Sequence, residues 1–215
     1  MVSQSTITAM IISMSLSVLI PVILFIIYKK KYKISIKVVL FGMLTFVLFV
    51  VILEGAFNGF LLNGAATAPF FENAWVLVPY GALMAGVFEE VGRYIMMRFA
   101  LKKYRDWQDG LAFGIGHGGI ESILILGLSN LTMIIYAIQI NAGTFVQLMT
   151  NDALKEALMP IKEQLTATSP LLAALGPIES MCDCIAYCFI DFSDVCDKKR
   201  ENEISHLRNR ISCLI

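Results

Sequence analysis

The chain has 215 residues, of which 57% are hydrophobic and 16% are charged. Charged residues make up about a quarter of ordinary soluble domains, so this composition excludes that class of protein. Lys and Arg together number 17, as do Asp and Glu, and a chain with zero net charge has no overall attraction for nucleic acid. Most of the chain is therefore expected to lie within a lipid bilayer.

The apolar stretches predict an all-α, polytopic bundle of about five membrane-spanning helices. A span needs about 20 consecutive residues that are mostly apolar. The stretches that meet this length are residues 7–28, 36–60, 75–101, 110–140 and 170–190. The fourth stretch is long enough for one tilted helix with an extension, or for a helix broken near residues 127–130. The portion 153–165 of the loop that follows predicts a short interfacial helix.

The positive residues predict how the chain is oriented. Lys and Arg near the ends of spans stay on the cytoplasmic side. They are concentrated in the first and third loops, as Lys29, Lys30, Lys31, Lys33, Lys102, Lys103 and Arg105. The second loop, 61–74, has none. This alternation predicts a multi-pass protein of the cell membrane with its amino terminus outside and its carboxyl terminus in the cytoplasm.

Charged residues interrupt the third span, where Glu89, Glu90 and Arg93 follow one another in an otherwise apolar helix. A charge at the bilayer centre costs about 2.5–3.5 kcal/mol on insertion scales. Helical spacing places Arg93 within reach of either glutamate, so the arginine can pair with one carboxylate and leave the other for chemistry. A purely structural ion pair is the alternative interpretation.

The fourth span carries the run FGIGHGGIE, in which His117 and Glu121 share one helical face. Glycines repeat every four residues beside them, at Gly110, Gly114 and Gly118. Such a spine lets another helix approach closely, and we expect that helix to be the one with the paired glutamates. The alternatives are a glycine spine that serves packing alone and a hydrogen-bonded core histidine.

Other polar residues in the spans are weaker candidates. Glu54 and Asn58, near the end of the second span, are interpreted as interface residues. Glu179 falls within the fifth stretch, with Asp183 one turn later. Aromatic residues near span ends predict membrane-interface belts, and they are Trp75, Tyr80 and Trp107.

Two motifs together resemble the YhfC family of intramembrane proteases, which is similar to the CAAX prenyl-protease type of glutamic intramembrane protease. The first is EEVGR, from Glu89 to Arg93, and the second is FGIGHGGIE, from Phe113 to Glu121. The resemblance covers the chain from its first span to about Glu179. It implies an intramembrane endopeptidase that acts on a membrane-associated peptide or protein.

The resemblance also implies roles for individual residues. Glu89 or Glu90 would be the general base that activates a water molecule, and His117 would orient that water or stabilise the oxyanion. Arg93 would assist, with Glu121 and Phe113 in support. The alternative is a zinc site with His117, Glu121 and Glu90 as ligands. Zinc sites usually take nitrogen or sulfur ligands from more than one residue, and the spans hold one histidine, so the metal-free version is preferred.

The sequence changes character near Glu179, which divides the chain into a helical domain, 1–178, and a remainder, 179–215. All five cysteines lie in that remainder, at Cys182, Cys184, Cys188, Cys196 and Cys213. The later histidine motif of the wider group is missing, and His206 stands in a charged tail. The hypothesis is a reading-frame change near Glu179, and an inactive truncated relative is one alternative function. The others are a non-catalytic membrane binding or immunity protein and a transporter, although no inverted repeat supports a transporter.

Overall fold

A computed structural model describes residues 1–170, and within them the only regular elements are helices. Four of these helices are long and apolar enough to cross a membrane. This confirms the predicted all-α, multi-pass architecture. The fifth predicted span and the remainder 179–215, with its proposed frame change, lie outside the described residues.

The helices follow the predicted stretches closely. They are α1 (Gln4–Tyr32), α2 (Ile36–Asn63), α3 (Ala68–Phe71), α4 (Ala74–Ala100), α5 (Trp107–Ala142) and α6 (Asp152–Ala167). The long helices α1, α2, α4 and α5 are the four spans, and the predicted short helix after the fourth span is confirmed as α6. An asparagine begins each of two helices, because Asn73 Oδ1 accepts from the Trp75 N–H and Asn151 Oδ1 from the Leu154 N–H.

Three of the four spans contain a π-helical stretch. These stretches are Phe46–Glu54 in α2, Met96–Ala100 in α4 and Ser122–Gly127 in α5. A π-helix widens the helix and changes the direction of the side chains that follow, and it is frequent at functional sites. The fourth span is one continuous helix, so the alternative of a break near residues 127–130 is wrong. The irregularity is the π-helical stretch that comes just before.

The described residues form two compact units. The first contains residues 1–24 and 119–170, which are the first part of α1, the later part of α5, and α6. Its core brings the amino-terminal residues together with both helices, through Val2, Ile7, Met10, Ile134, Ala137 and Leu165. Helix α6 contributes Leu158 and Leu165 to the buried side chains.

Polar groups join α1 and α5 within the first unit. Pro21 has no N–H, so the carbonyl of Ser17 loses its helical donor. The Ser122 hydroxyl donates to that carbonyl at 3.0 Å. Farther along α5, Asn130 Nδ2 donates to Ser13 Oγ at 3.1 Å. The bonds satisfy polar groups that would otherwise be exposed to lipid.

The amino terminus is held at the carboxyl end of α5. The Val2 N–H donates to Asn141 Oδ1 at 2.8 Å, and Asn141 Nδ2 donates back to the Val2 carbonyl at 2.9 Å. Helix α5 is followed directly by Gly143, whose φ of 76° is readily adopted by glycine. The amino terminus therefore lies on the same side as the loop after the fourth span.

The second unit contains residues 25–118, with α2 packed against both α4 and the first part of α5. Gly42 of α2 and Gly116 of α5 allow the closest approach, since a Cβ on Gly42 would collide with the Phe113 carbonyl and one on Gly116 with the Val39 carbonyl. On the α4 side, a Cβ on Gly92 would lie 2.6 Å from the Phe49 ring. Helix α5 thus approaches α2 closely, at Gly116. The sequence had predicted a close approach to α4 through the spine of Gly110, Gly114 and Gly118.

Candidate active site

Arg93 is buried inside the third span, with 3% of its surface exposed, and forms an ion pair with Glu90. The Glu90 side chain is itself 64% exposed. A buried guanidinium without a counter-charge is strongly unfavourable, so Glu90 stabilises Arg93 in the helix. The sequence left open which glutamate pairs with Arg93, and the structure shows an ion pair with Glu90.

Glu89 occupies a different face of α4. It is half-buried, and it lies three and four residues before Gly92 and Arg93, which are both buried. Residues at these spacings share one face of a helix. Glu89 is therefore more shielded than Glu90, although both lie within helical reach of Arg93.

His117 is completely buried in the first part of α5. The Phe46 ring meets its imidazole edge-on at a centroid distance of 5.4 Å, and the Phe113 ring lies nearly parallel at 6.1 Å. Phe113, one turn earlier on the same helix, is thus a neighbour of the histidine, as the motif implied. Phe46 begins the π-helical stretch of α2 and was not identified from the sequence.

The main chain at His117 is fixed by α2. A Cβ on Gly42 would lie 2.9 Å from the main-chain nitrogen of His117, so no larger residue fits at this crossing unless a backbone moves. Two contacts with one neighbouring helix, through Gly42 and Phe46, set the position of the imidazole.

Arg93 and His117 are both buried in the second unit, and the helices that carry them, α4 and the first part of α5, both pack against α2. The structure thus pairs Glu90 with Arg93 and places Phe113 beside His117. Glu121 lies one turn beyond His117, half-buried at the start of the π-helical stretch, and belongs to the first unit.

A second polar cluster was missed in the sequence. Glu54 is buried, with 8% of its surface exposed, and ends the π-helical stretch of α2. Its Oε1 accepts from Asn58 Nδ2 at 3.3 Å, and Asn58 Oδ1 accepts from the Tyr80 hydroxyl at 2.6 Å. The sequence interpreted Glu54 and Asn58 as interface residues, and the structure adds that Glu54 is buried and is joined through Asn58 to Tyr80 of α4. The spacing of Glu54 and Asn58, four residues apart, was the available signal.

The donors needed for a metal ion are not assembled within residues 1–170. No three His, Cys, Asp or Glu side chains in this part of the chain form a group that could hold one. The proposed ligands His117, Glu121 and Glu90 do not converge, since Glu90 is exposed and engaged by Arg93 while His117 lies between two phenylalanine rings. The described residues thus supply separate donors and no complete ligand set.

Comparison with known proteins identifies relatives for most of the chain. A family model described as "YhfC intramembrane metalloprotease" matches residues 16–189. The chain is 46% identical over 181 residues to "Uncharacterized membrane protein YhfC" of Bacillus subtilis (strain 168), a match that covers 83% of this chain and 70% of that protein. No solved structure matches. The chain therefore belongs to the YhfC family of membrane proteins.

Proposed function

We propose that this protein is an intramembrane endopeptidase in which Glu89 activates a water molecule for attack on a peptide bond. The observation that carries the proposal is that the adjacent glutamates of α4 differ in pairing and burial. Glu90 neutralises the buried Arg93 and is itself largely exposed, whereas Glu89 is half-buried. One carboxylate maintains the site and the other does the chemistry.

The reaction needs a base, a means of stabilising the oxyanion, and a peptide carbonyl. Glu89 takes a proton from water as the oxygen attacks the carbonyl carbon, and it later returns that proton to the departing amine. Arg93 and His117 stabilise the negative charge that develops on the carbonyl oxygen, in a setting from which lipid and protein exclude bulk water. Such stabilisation is stronger there than in water.

The substrate class follows from the location of these groups. Glu89, Arg93 and His117 all lie within membrane-spanning helices, so the scissile bond must enter the bilayer. A helical peptide hides its carbonyls in internal hydrogen bonds, and it must unwind locally before water attacks. We therefore expect a membrane-associated peptide or protein with a stretch that unwinds easily.

The proposed roles do not include a metal ion. The family description names a metalloprotease, but within residues 1–170 no complete ligand set is present. The proposed roles are therefore assigned to the chain's own residues.

The test uses the full chain in proteoliposomes with a library of membrane-spanning peptides. Glu89→Gln should abolish cleavage, His117→Asn should lower kcat by about 10²–10³, and Glu72→Gln, an exposed acid outside the spans, should match the wild type. Full activity of Glu89→Gln would contradict the mechanism. If no peptide is cleaved by any form, the membrane binding or immunity protein becomes the better interpretation. Loss of activity with a chelator, restored by zinc, would contradict the metal-free roles.

A further inference from the structure

We propose that Glu54, held by Asn58 and Tyr80, binds the water molecule that Glu89 activates. This inference rests on the proposed function and adds a positioning residue to it. Three observations within the second unit support it, and they concern the bonding of Glu54, its level in the membrane and its burial.

The first observation is the direction of the hydrogen bonds. The Tyr80 hydroxyl donates to Asn58, and the Asn58 amide donates to Glu54, so the chain of donors ends on the carboxylate. The second oxygen, Oε2, is buried and has no hydrogen-bond partner within residues 1–170. A buried acceptor without a donor costs about 1–3 kcal/mol, and more when it is charged. Whatever binds Oε2 must therefore supply a hydrogen.

The second observation is the level of Glu54 relative to α4. In α2 it lies between Phe49 and Phe57. Phe49 packs against Gly92, and the Phe57 ring lies 5.9 Å from the Phe88 ring. Because α2 and α4 run in opposite directions, Glu54 lies between the level of Gly92 and that of Tyr80, to which it is joined through Asn58. Glu89 lies within this interval of α4.

The third observation is burial, which limits the size of the ligand. Glu54 is 8% exposed and its Oε2 is buried, so a peptide chain cannot reach this oxygen without separating α2 from α4. A metal cation would need several oxygen ligands, whereas Asn58 already presents its N–H group to the carboxylate. A water molecule is small and donates two hydrogens, so it fits both limits.

The polar cluster also explains how water reaches the middle of a span. Tyr80 lies near the start of α4, where its ring packs against Phe71, while Glu54 lies farther into the span, in the direction of Glu89. Hydrolysis consumes one water per turnover, so a membrane-embedded base needs a route of supply. Such a route would pass, one after another, the hydrogen-bonding groups of Tyr80, Asn58 and Glu54.

The test measures water and cleavage separately, on the full chain in lipid nanodiscs. Brief X-ray radiolysis in heavy-oxygen water labels side chains that lie beside ordered water. The reporters are Tyr80 and the half-buried Met84, which lies one turn later on α4. The label on both should fall at least about threefold in Glu54→Leu and in Asn58→Leu. Glu54→Gln, which keeps a polar head, should retain most of it. Asn63→Leu is the matched control, because Asn63 is an exposed asparagine of the same helix.

Cleavage supplies the second readout. Glu54→Leu and Asn58→Leu should lower kcat by roughly tenfold with little change in KM, because water supply and not peptide binding is impaired. Unchanged labelling in both leucine variants would overturn the inference, even if Glu89→Gln abolishes cleavage. A loss of label in a protein that cleaves no peptide would support the water site and contradict the proposed function.

Discussion

The hydroxyl of Ser122 donates to the carbonyl of Ser17, which Pro21 deprives of its helical donor. This bond explains how a proline is accommodated in the middle of a membrane span, and it predicts a dependence between two substitutions. Ser122→Ala should destabilise the protein by about 1 kcal/mol, because the carbonyl then lacks a donor in lipid. In a Pro21→Ala background the same change should cost much less, since the substituted residue supplies the missing N–H.

The measurement is a double-mutant cycle by thermal unfolding in detergent micelles. Ser129→Ala, at an exposed position of the same helix, is the control and should leave stability unchanged. Equal losses from Ser122→Ala in both backgrounds would show that the hydroxyl does not replace the proline's absent donor.

The crossing of α2 and α5 predicts intolerance to one added methyl group. Gly42→Ala and Gly116→Ala should each destabilise the protein by about 1–3 kcal/mol, because the Cβ would meet main-chain atoms that cannot rotate away. Gly59→Ala and Gly81→Ala are matched controls, since nothing lies within 4 Å of a Cβ at either position. A loss of stability in the controls equal to that in the crossing variants would refute this account.

The assignment of Arg93 to Glu90 predicts a coupling energy. Glu90→Gln and Arg93→Gln should interact by about 1 kcal/mol in a stability cycle, a modest value because Glu90 is largely exposed. The cycle of Glu89→Gln with Arg93→Gln should give a smaller coupling. Unfolding by SDS titration measures both, and a larger value for the Glu89 cycle would reverse the roles given to the two glutamates.

The bonds between Val2 and Asn141 predict that the amino terminus and the loop before α6 share one side of the membrane. Epitope tags at the amino terminus and after Thr150 should both be reached by antibody in intact spheroplasts. A tag after Lys103 should be reached only after permeabilisation, because the lysine-rich loops are expected in the cytoplasm. If the tags at the amino terminus and after Thr150 were found on opposite sides of the membrane, the structure would be contradicted. If all three tags were found on the sides opposite to those expected, only the predicted orientation would be contradicted.

The span boundaries were predictable because long apolar runs in lipid have one favourable backbone structure, the helix. The motifs likewise indicated that Arg93 would be paired and His117 buried. The sequence could not predict which glutamate forms the ion pair with Arg93, because both Glu89 and Glu90 lie within helical reach of it. Glu54 was missed for a related reason: its burial depends on its contacts with α4, and the π-helical stretch that orients it leaves no plain mark in hydrophobic periodicity.

The packing of Gly42 against the main chain of His117 limits how the imidazole can move. Sliding or tilting of this part of α5 would drive backbone into backbone, so the remaining freedom is rotation about the two side-chain torsions of the histidine. Phe46 and Phe113 border that rotation, and each ring must turn before the imidazole swings. The rate at which the imidazole rotates would then depend on the motion of two aromatic side chains and not on movement of the helices.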